Sequence, residues 1–250
     1  MYEGKRVSMG KQGFLALAAV CVLAAGAAHG AVITFRSGDS DGAIGTADPN
    51  VRVLSGPHTT GFLSLTEADF AAARSANPAR LAQRWVYEPY SWLLSLPSDP
   101  AARWINVSGT NRDYEPSGLY AIRIDNEHGY ATNVTLDLYY AVDDYLGSRD
   151  GEEFNAPVLT AAVYLNGDPL TDRNGQTASW RGSWTNQERE LHFTGLTLLP
   201  GENWIYINAT NWNIYAGGVI FSGTLTIVPE PASLSLLAAC GATLLSRRRR

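Results

Sequence analysis

Two groups of carboxylates and one group of aromatic rings carry the chemistry this chain could do. Asp39-Ser40-Asp41-Gly42, with Asp48 close behind, sets alternating carboxylates on a glycine-rich loop, and Asp143-Asp144 with Asp150, Glu152 and Glu153 forms a second acidic cluster. Hard oxygen donors on flexible loops suit Ca²⁺. The expected cofactor, if there is one, is therefore a structural Ca²⁺ held by Asp39, Asp41, Asp143 and Asp144. Neither cluster has EF-hand spacing, since Asn50 and not glutamate stands at the twelfth position from Asp39. A solvated acidic loop explains each cluster as well. The aromatic group is Trp180, Trp184, Trp212 and Tyr215, in segments rich in Asn, Arg, Gly and Ser. An exposed aromatic face stacks on the apolar face of a sugar ring while neighbouring amides and charges bind its hydroxyls. The competing assignment is that these rings close the ends and edges of the fold; Trp104 is read as core.

Catalysis has little to rest on. His58, His128 and His192 stand in no nucleophile-elbow or metal-helix pattern, and His128 falls in a turn. The paired acids are neighbours on one loop, whereas glycoside hydrolysis needs two carboxyls ~5–9.5 Å apart across a cleft. The chain is expected not to be an enzyme.

The two ends read as addresses. Lys5, Arg6 and Lys11 precede an apolar stretch from Phe14 to Ala28, and Ala28-His29-Gly30 fits small-x-small, so residues 1–30 read as a signal peptide with the start at Met1 or Met9. At the other end Val228-Pro229-Glu230-Pro231 leads into the 14-residue apolar run Ala232–Leu245 and then Arg247-Arg248-Arg249-Arg250. As a helix the run spans roughly 21 Å, short of a ~30 Å hydrocarbon core. The terminal arginines stay cytoplasmic and fix orientation, and the two prolines keep the upstream segment extended.

This tail resembles the PEP-CTERM sorting domain of bacterial exported proteins, through Pro229-Glu230-Pro231, the apolar segment and the arginine cluster. The resemblance implies export and transient residence in the inner membrane through the C-terminal transmembrane helix. Cleavage by an exosortase and delivery to the cell surface or extracellular matrix would follow. The implied partners are that protease and the secretion machinery, with a polysaccharide as the further candidate.

Seven of the 19 Lys and Arg lie in the two ends, and only Glu3 and Glu230 of the 24 acids do, so the body keeps 12 basic against 22 acidic residues, a net charge of −10 with no lysine. That charge argues against nucleic acid as a partner. Both cysteines, Cys21 and Cys240, fall in the apolar ends, so the body has no disulfide and no thiolate metal site. At roughly 200 residues it is large enough to be stable from its core alone.

The elements that must position these groups are strands. Val134, Leu136, Leu138, Tyr140 and Val142 alternate with more polar neighbours; so do Tyr120, Ile122 and Ile124. Val158–Leu165 reads as a strand ended by the turn dipeptide Asn166-Gly167. Ile205 and Ile207 face opposite to Trp204, Tyr206 and Asn208, and Gly218–Val228 closes the body. Val32–Arg36 and weaker runs near Val51 and Leu191 bring the expected strands to eight or nine. Thr66-Glu67-Ala68-Asp69 has the form of a capping box and predicts one short helix over about Glu67–Ala76; the stretch from Pro78 through Pro97 reads as loop. The expected fold is all-β, a β-sandwich with one short helix. It occupies residues 31–227 between the signal peptide (1–30) and the sorting signal with its transmembrane helix (228–250).

The body resembles the galactose-binding-like jelly-roll sandwiches of carbohydrate-binding modules. The resemblance rests on Ala102-Arg103-Trp104-Ile105, Asp143-Asp144, Leu165-Asn166-Gly167, Pro200-Gly201-Glu202-Asn203 and Gly217-Gly218. It implies a scaffold often used for glycan contact. Three roles are therefore open: a structural or adhesive protein of the extracellular polymer, a carbohydrate-binding module, and a small glycan-active enzyme.

Overall fold

The computed structural model describes residues 31–39, 41–58, 61–86, 91–110, 115–149, 157–174, 180–181, 188–212 and 216–228. One compact unit spans Val32–Ile227; the other comprises Met1–Ala31 and Val228–Arg250, of which only Ala31 and Val228 are among the described residues. The signal peptide and the apolar tail lie outside the described residues. No helix among the described residues is long and apolar enough to cross a membrane.

The strands are β1 (Val32–Arg36), β2 (Ala47–Ser55), β3 (Pro78–Leu81), β4 (Ile105–Asn106), β5 (Gly118–Asn126), β6 (Thr132–Asp143), β7 (Tyr145–Leu146), β8 (Ser148–Arg149), β9 (Val158–Thr160), β10 (Val163–Leu165), β11 (Asp168–Pro169), β12 (Trp180–Arg181), β13 (Arg189–Leu198), β14 (Gly201–Thr210) and β15 (Gly218–Ile227), with one helix, α1 (Glu67–Ser75), between β2 and β3. The fold among these residues is mostly β with antiparallel pairing throughout.

Thirteen strands form one curled sheet in the order β11-β10-β14-β5-β2-β3-β4-β15-β6-β13. In addition β1 pairs with β15, and β7 pairs with β12 and β14. The curl brings two layers face to face. Val134, Leu136, Leu138, Tyr140 and Val142 of β6, with Val219, Phe221 and Leu225 of β15, share one buried cluster with Val51 and Val53 of β2, Ile122 and Ile124 of β5, and Ile205 and Ile207 of β14. The period-2 alternation read from the sequence puts every one of these residues on the same inner side. Burial of such side chains stabilises by ~1.5–3 kcal/mol each relative to exposure.

Both outer faces are partly covered. The helix lays Phe70 and Ala73 on Leu119, Ala121, Tyr164 and Tyr206. Its first turn is fixed by the Asp69 carboxylate, which accepts from the Thr66 amide (2.8 Å) and the Thr66 hydroxyl (2.6 Å). On the opposite layer Trp92, Leu96, Ala102 and Trp104 cover Ala141 and Ile220. Trp92 and Trp104 stack at 4.3 Å and are 1% and 3% exposed, so both belong to the core.

Two elements differ from expectation. Val158–Leu165 is two strands: β9 pairs with β8 in a separate two-stranded sheet, while β10 pairs with β14 in the main one. The chain changes partner at Ala161–Ala162. The segment after Pro78, read as loop, begins with β3, which bridges β2 and β4. Asn166 and Gly167 form the hairpin turn, with φ of 55° and 96°, the positive angles the dipeptide was read to require.

Candidate functional site

Four strands stop on one rim of the sandwich. Their registers place Gly218 opposite Asp143, Ala209 opposite Gly118, and Thr210 opposite Tyr145. This rim collects Asp143 and Asp144 from the end of β6, Thr210 from the end of β14, and Asn211 and Trp212 from the loop that follows.

The groups are tied together by hydrogen bonds. The Trp92 indole N–H donates to Asp143 Oδ2 at 2.7 Å. The Trp212 amide donates to Asp144 Oδ2 at 2.8 Å, and the Asp144 amide to the Thr210 carbonyl at 3.3 Å. The Asp143–Asp144 peptide bond is cis. Asn211 donates from its amide to Ser117 Oγ (3.0 Å) and from Nδ2 to the Glu115 carbonyl (2.7 Å). Glu115, 3% exposed, accepts from the Val107 and Ser108 amides and from the Ser108 hydroxyl.

Both acids are held above the usual carboxylate range. For Asp143 burial is the main cause and the neighbouring Asp144 charge adds to it, with the Trp92 bond opposing. A margin of the Asp143 residue reaches solvent, but its carboxyl is packed among protein atoms. For Glu115 burial outweighs the Ser108 and Val107 hydrogen bonds.

Two buried polar atoms at this rim have no partner among the described residues: Thr210 Oγ1 and Trp212 Nε1. The Trp212 ring is half-buried and stands edge-on to Tyr145, centroids 6.3 Å apart at 80°. Gly61 closes over Thr210 with φ +64°; a Cβ there would lie 2.2 Å from Thr210 Oγ1, so only glycine admits this approach. The rim thus combines carboxyl acceptors, an indole donor and hydroxyl, and a partly open aromatic face. Groups of these kinds can hydrogen-bond and stack on polyhydroxylated ligands.

The structure joins Trp212, read as a sugar-stacking ring, to Asp144, read as a metal ligand. Trp184 and Tyr215 lie outside the described residues, and for Trp180 only the backbone is described, pairing with Leu146 of β7. Asp39 and Asp41 are exposed in the loop after β1. Their neighbour Asp48, 1% exposed, spends its carboxylate on the amides of Gly38 (2.6 Å), Asn50 (2.8 Å) and Val51 (3.2 Å). Asp39 accepts from Asn50 Nδ2 at 3.1 Å. This first acidic loop is therefore organised by its own hydrogen bonds. Burial raises the Asp48 carboxyl, more than the three amides lower it. No group of three or more His, Cys, Asp or Glu side chains that could hold a metal occurs among the described residues. Of the sorting motif only Val228 is described, and it is exposed; Pro229, Glu230, Pro231 and Arg247 to Arg250 lie outside.

Sequence reasoning did not find Glu115, Asn211 or Thr210. Asn211 stands beside Trp212 and Thr210 ends Asn208-Ala209-Thr210, but only the strand registers bring them to the rim.

No protein-family model matches the chain, and no curated protein matches it. Among solved structures it is similar to a GH26-CBM35 β-(1,4)-mannanase of Podospora anserina at TM-score 0.30 and 15% identity, covering 81% of this chain and 29% of that one. It is also similar to the CBM35 of Paenibacillus barcinonensis at TM-score 0.28 and 10% identity, covering 79% and 99%. A third similarity is to an exo-β-1,3-galactanase of Phanerochaete chrysosporium at TM-score 0.26 and 14% identity, covering 78% and 29%. The chain spans less than a third of the mannanase and galactanase chains.

Proposed function

We propose that the body is a non-catalytic polysaccharide-binding sandwich, exported to serve an adhesive role at a bacterial cell surface or in its extracellular matrix. The observation that carries the reading is the rim itself. Thr210 Oγ1 and Trp212 Nε1 are buried without partners among the described residues, beside two carboxyls and an aromatic face. A buried donor without an acceptor costs ~1–3 kcal/mol. A sugar hydroxyl that enters as the rim opens over these two atoms supplies that acceptor, while the half-buried Asp144 carboxylate offers a further one and Trp212 its face. Export rests on the two terminal segments, and the tail supports processing by an exosortase.

Affinity electrophoresis against a panel of polysaccharides tests the reading. Retardation by at least one neutral polymer, weakened about tenfold or more by Trp212→Ala with unchanged melting, is the expected result. No retardation by any polymer removes the binding role and leaves a structural one. Adding a chelator separates two uses of the carboxyls. Retention that survives means Asp143 and Asp144 act as hydrogen-bond acceptors, and retention that vanishes means they hold Ca²⁺. Processing of the chain should stop in cells lacking the exosortase; unchanged processing would refute the assignment of the tail.

A further inference from the structure

Two strand edges face one cleft on the flank of the sandwich, and neither has a partner strand there among the described residues. The Ser37 amide donates to the Phe221 carbonyl at 2.9 Å, next to Arg36 opposite Ser222. Hydrogen bonding alternates along an antiparallel strand, so Ile33 and Phe35 give their backbone groups to β15. Those of Val32, Thr34 and Arg36 point away from it. On β2 the Val53 amide goes to the Asn77 carbonyl at 2.9 Å, away from β5. The pairs that bond β2 to β5 are therefore Arg52 with Ala121 and Leu54 with Leu119. That ladder stops at Val51 opposite Ile122, so beyond it Arg123 and Asp125 turn their backbone groups outward. Residues 33–36 and 122–125 line the two walls of a cleft of about 620 Å³.

The β1 edge lacks the protection that exposed edges carry. Val32-Ile33-Thr34-Phe35 has no charge, no proline and no glycine. Val32 and Thr34 are exposed, while Ile33 and Phe35 are half-buried at the border of the core. By contrast β13, which ends the main sheet, carries Arg189, Glu190 and a register shift between Phe193 and Leu196. The flank has no positive field to draw a charged ligand. Arg36 pairs with Asp99 (3.2 Å), Arg74 with Glu67 (3.0 Å), and Arg123 with Asp125 (2.9 Å) and Glu202 (3.2 Å), and Asp39 lines the cleft as well. Two bodies of net charge −10 repel each other in general; here the charges are largely paired and the edge itself is neutral.

We propose that this edge pairs with the same edge of a second copy, β1 against β1 in antiparallel register about a two-fold axis at Thr34. Thr34 then stands opposite its own equivalent and Val32 opposite Arg36. This register matches the outward-facing backbone groups of the two copies, uses all five residues of β1 and sets no like charges face to face. Ile33 of each copy meets Phe35 of the other, which completes the covering of both. On the facing wall Arg123 and Asp125 are opposite in charge and two residues apart, so they too are self-complementary under an antiparallel relation. Closed two-fold pairing is the commonest arrangement of like chains. Because β1 runs toward the rim, the two rims point to opposite ends and one dimer holds two polymer chains; that consequence alone rests on the proposed function.

Thr34→Lys sets two ammonium groups opposite each other on the axis, at an exposed position. Sedimentation of the full-length chain in mild detergent should give a dimer for the parent and a monomer for Thr34→Lys, a weakening of about tenfold or more, with unchanged melting. The register is read by cross-linking. In a background of Cys21→Ser and Cys240→Ser, Thr34→Cys should give a disulfide-linked dimer on oxidation, because facing residues of a bonded antiparallel pair lie ~5.5 Å apart, within disulfide reach. Asn133→Cys, exposed on β6, should not. A monomeric parent overturns the proposal. So does a dimer that persists in Thr34→Lys, which would place the association in the tail or on another face, and so does equal cross-linking of Asn133→Cys. A dimer lost in Thr34→Lys that retains no polysaccharide supports the pairing and refutes the rim reading alone.

Discussion

Asp143 offers the sharpest test of how the rim is built, because two substitutions there separate its hydrogen bond from its ionisation. Its Oδ2 accepts the Trp92 indole proton at 2.7 Å, and Trp92 is 1% exposed and stacked on Trp104. Removing the acceptor leaves a buried N–H without a partner, at ~1–3 kcal/mol. Asp143→Ala should therefore be less stable than the parent by about 1–3 kcal/mol near pH 4, where the parent carboxyl is neutral. Burial, and then the Asp144 charge, raise the carboxyl above its ordinary value of 3.8. Between that value and the raised one the folded state holds a proton that the unfolded state has released. The stability Asp143 contributes is thus complete below the ordinary range and is lost as pH rises through the raised value. Asp143→Asn keeps an acceptor for Trp92 and removes the ionisation. It should match the parent near pH 4, exceed it at pH 8, and show a flatter pH slope; the deficit of Asp143→Ala should shrink over the same interval. Urea unfolding followed by tryptophan fluorescence at pH 4, 6 and 8 reads all three. If Asp143→Asn is less stable than the parent at pH 8, the carboxylate is favoured in the folded state and the account of the rim is wrong.

Three further perturbations follow from the packing. Phe70→Ala takes away the ring that joins α1 to Tyr206 (4.8 Å) and Tyr164 (5.1 Å), and should cost about 3–5 kcal/mol in chemical denaturation. Asp69→Ala removes both acceptor bonds to Thr66 and should cost about 0.5–2 kcal/mol, visible as a lower melting temperature with ligand binding intact. Gly61→Ala places a methyl 2.2 Å from Thr210 Oγ1 at a φ of +64°. It should destabilise by about 1–3 kcal/mol, and should also weaken neutral-polysaccharide binding by displacing the wall over Thr210, which titration against the polymer would show.

The core was legible in the chain because it depends on local period. Leu136, Leu138 and Tyr140 announce a half-buried strand whatever lies elsewhere, and Thr66 with Asp69 announces a helix start by the residues themselves. Val158–Leu165 was misread as one strand because an unbroken apolar run gives no sign of where it changes partner at Ala161–Ala162. β3 was missed because Pro78 opens it and four residues are too few to show alternation. At the rim, Asp144 and Trp212 were each found by residue type, as carriers of carboxylate and aromatic chemistry. Their bond was not, since it depends on Thr210 pairing with Tyr145, residues far apart in sequence.

The candidate site falls where the alternation that builds the core places no demand. Along a strand every second side chain is committed to the inner cluster, and here the outer faces are partly covered by Phe70 on one layer and Trp92 with Trp104 on the other. Positions free to meet a ligand are then strand ends, where registers stop at Gly218 and Asp143, and strand edges, where β2 leaves β5 after Ile122. At the rim the strand ends bring together an Asp144 carboxylate, which already accepts the Trp212 amide, and a half-buried Trp212 ring, so a ligand there would be met by hydrogen bonds and by stacking rather than by a cationic patch.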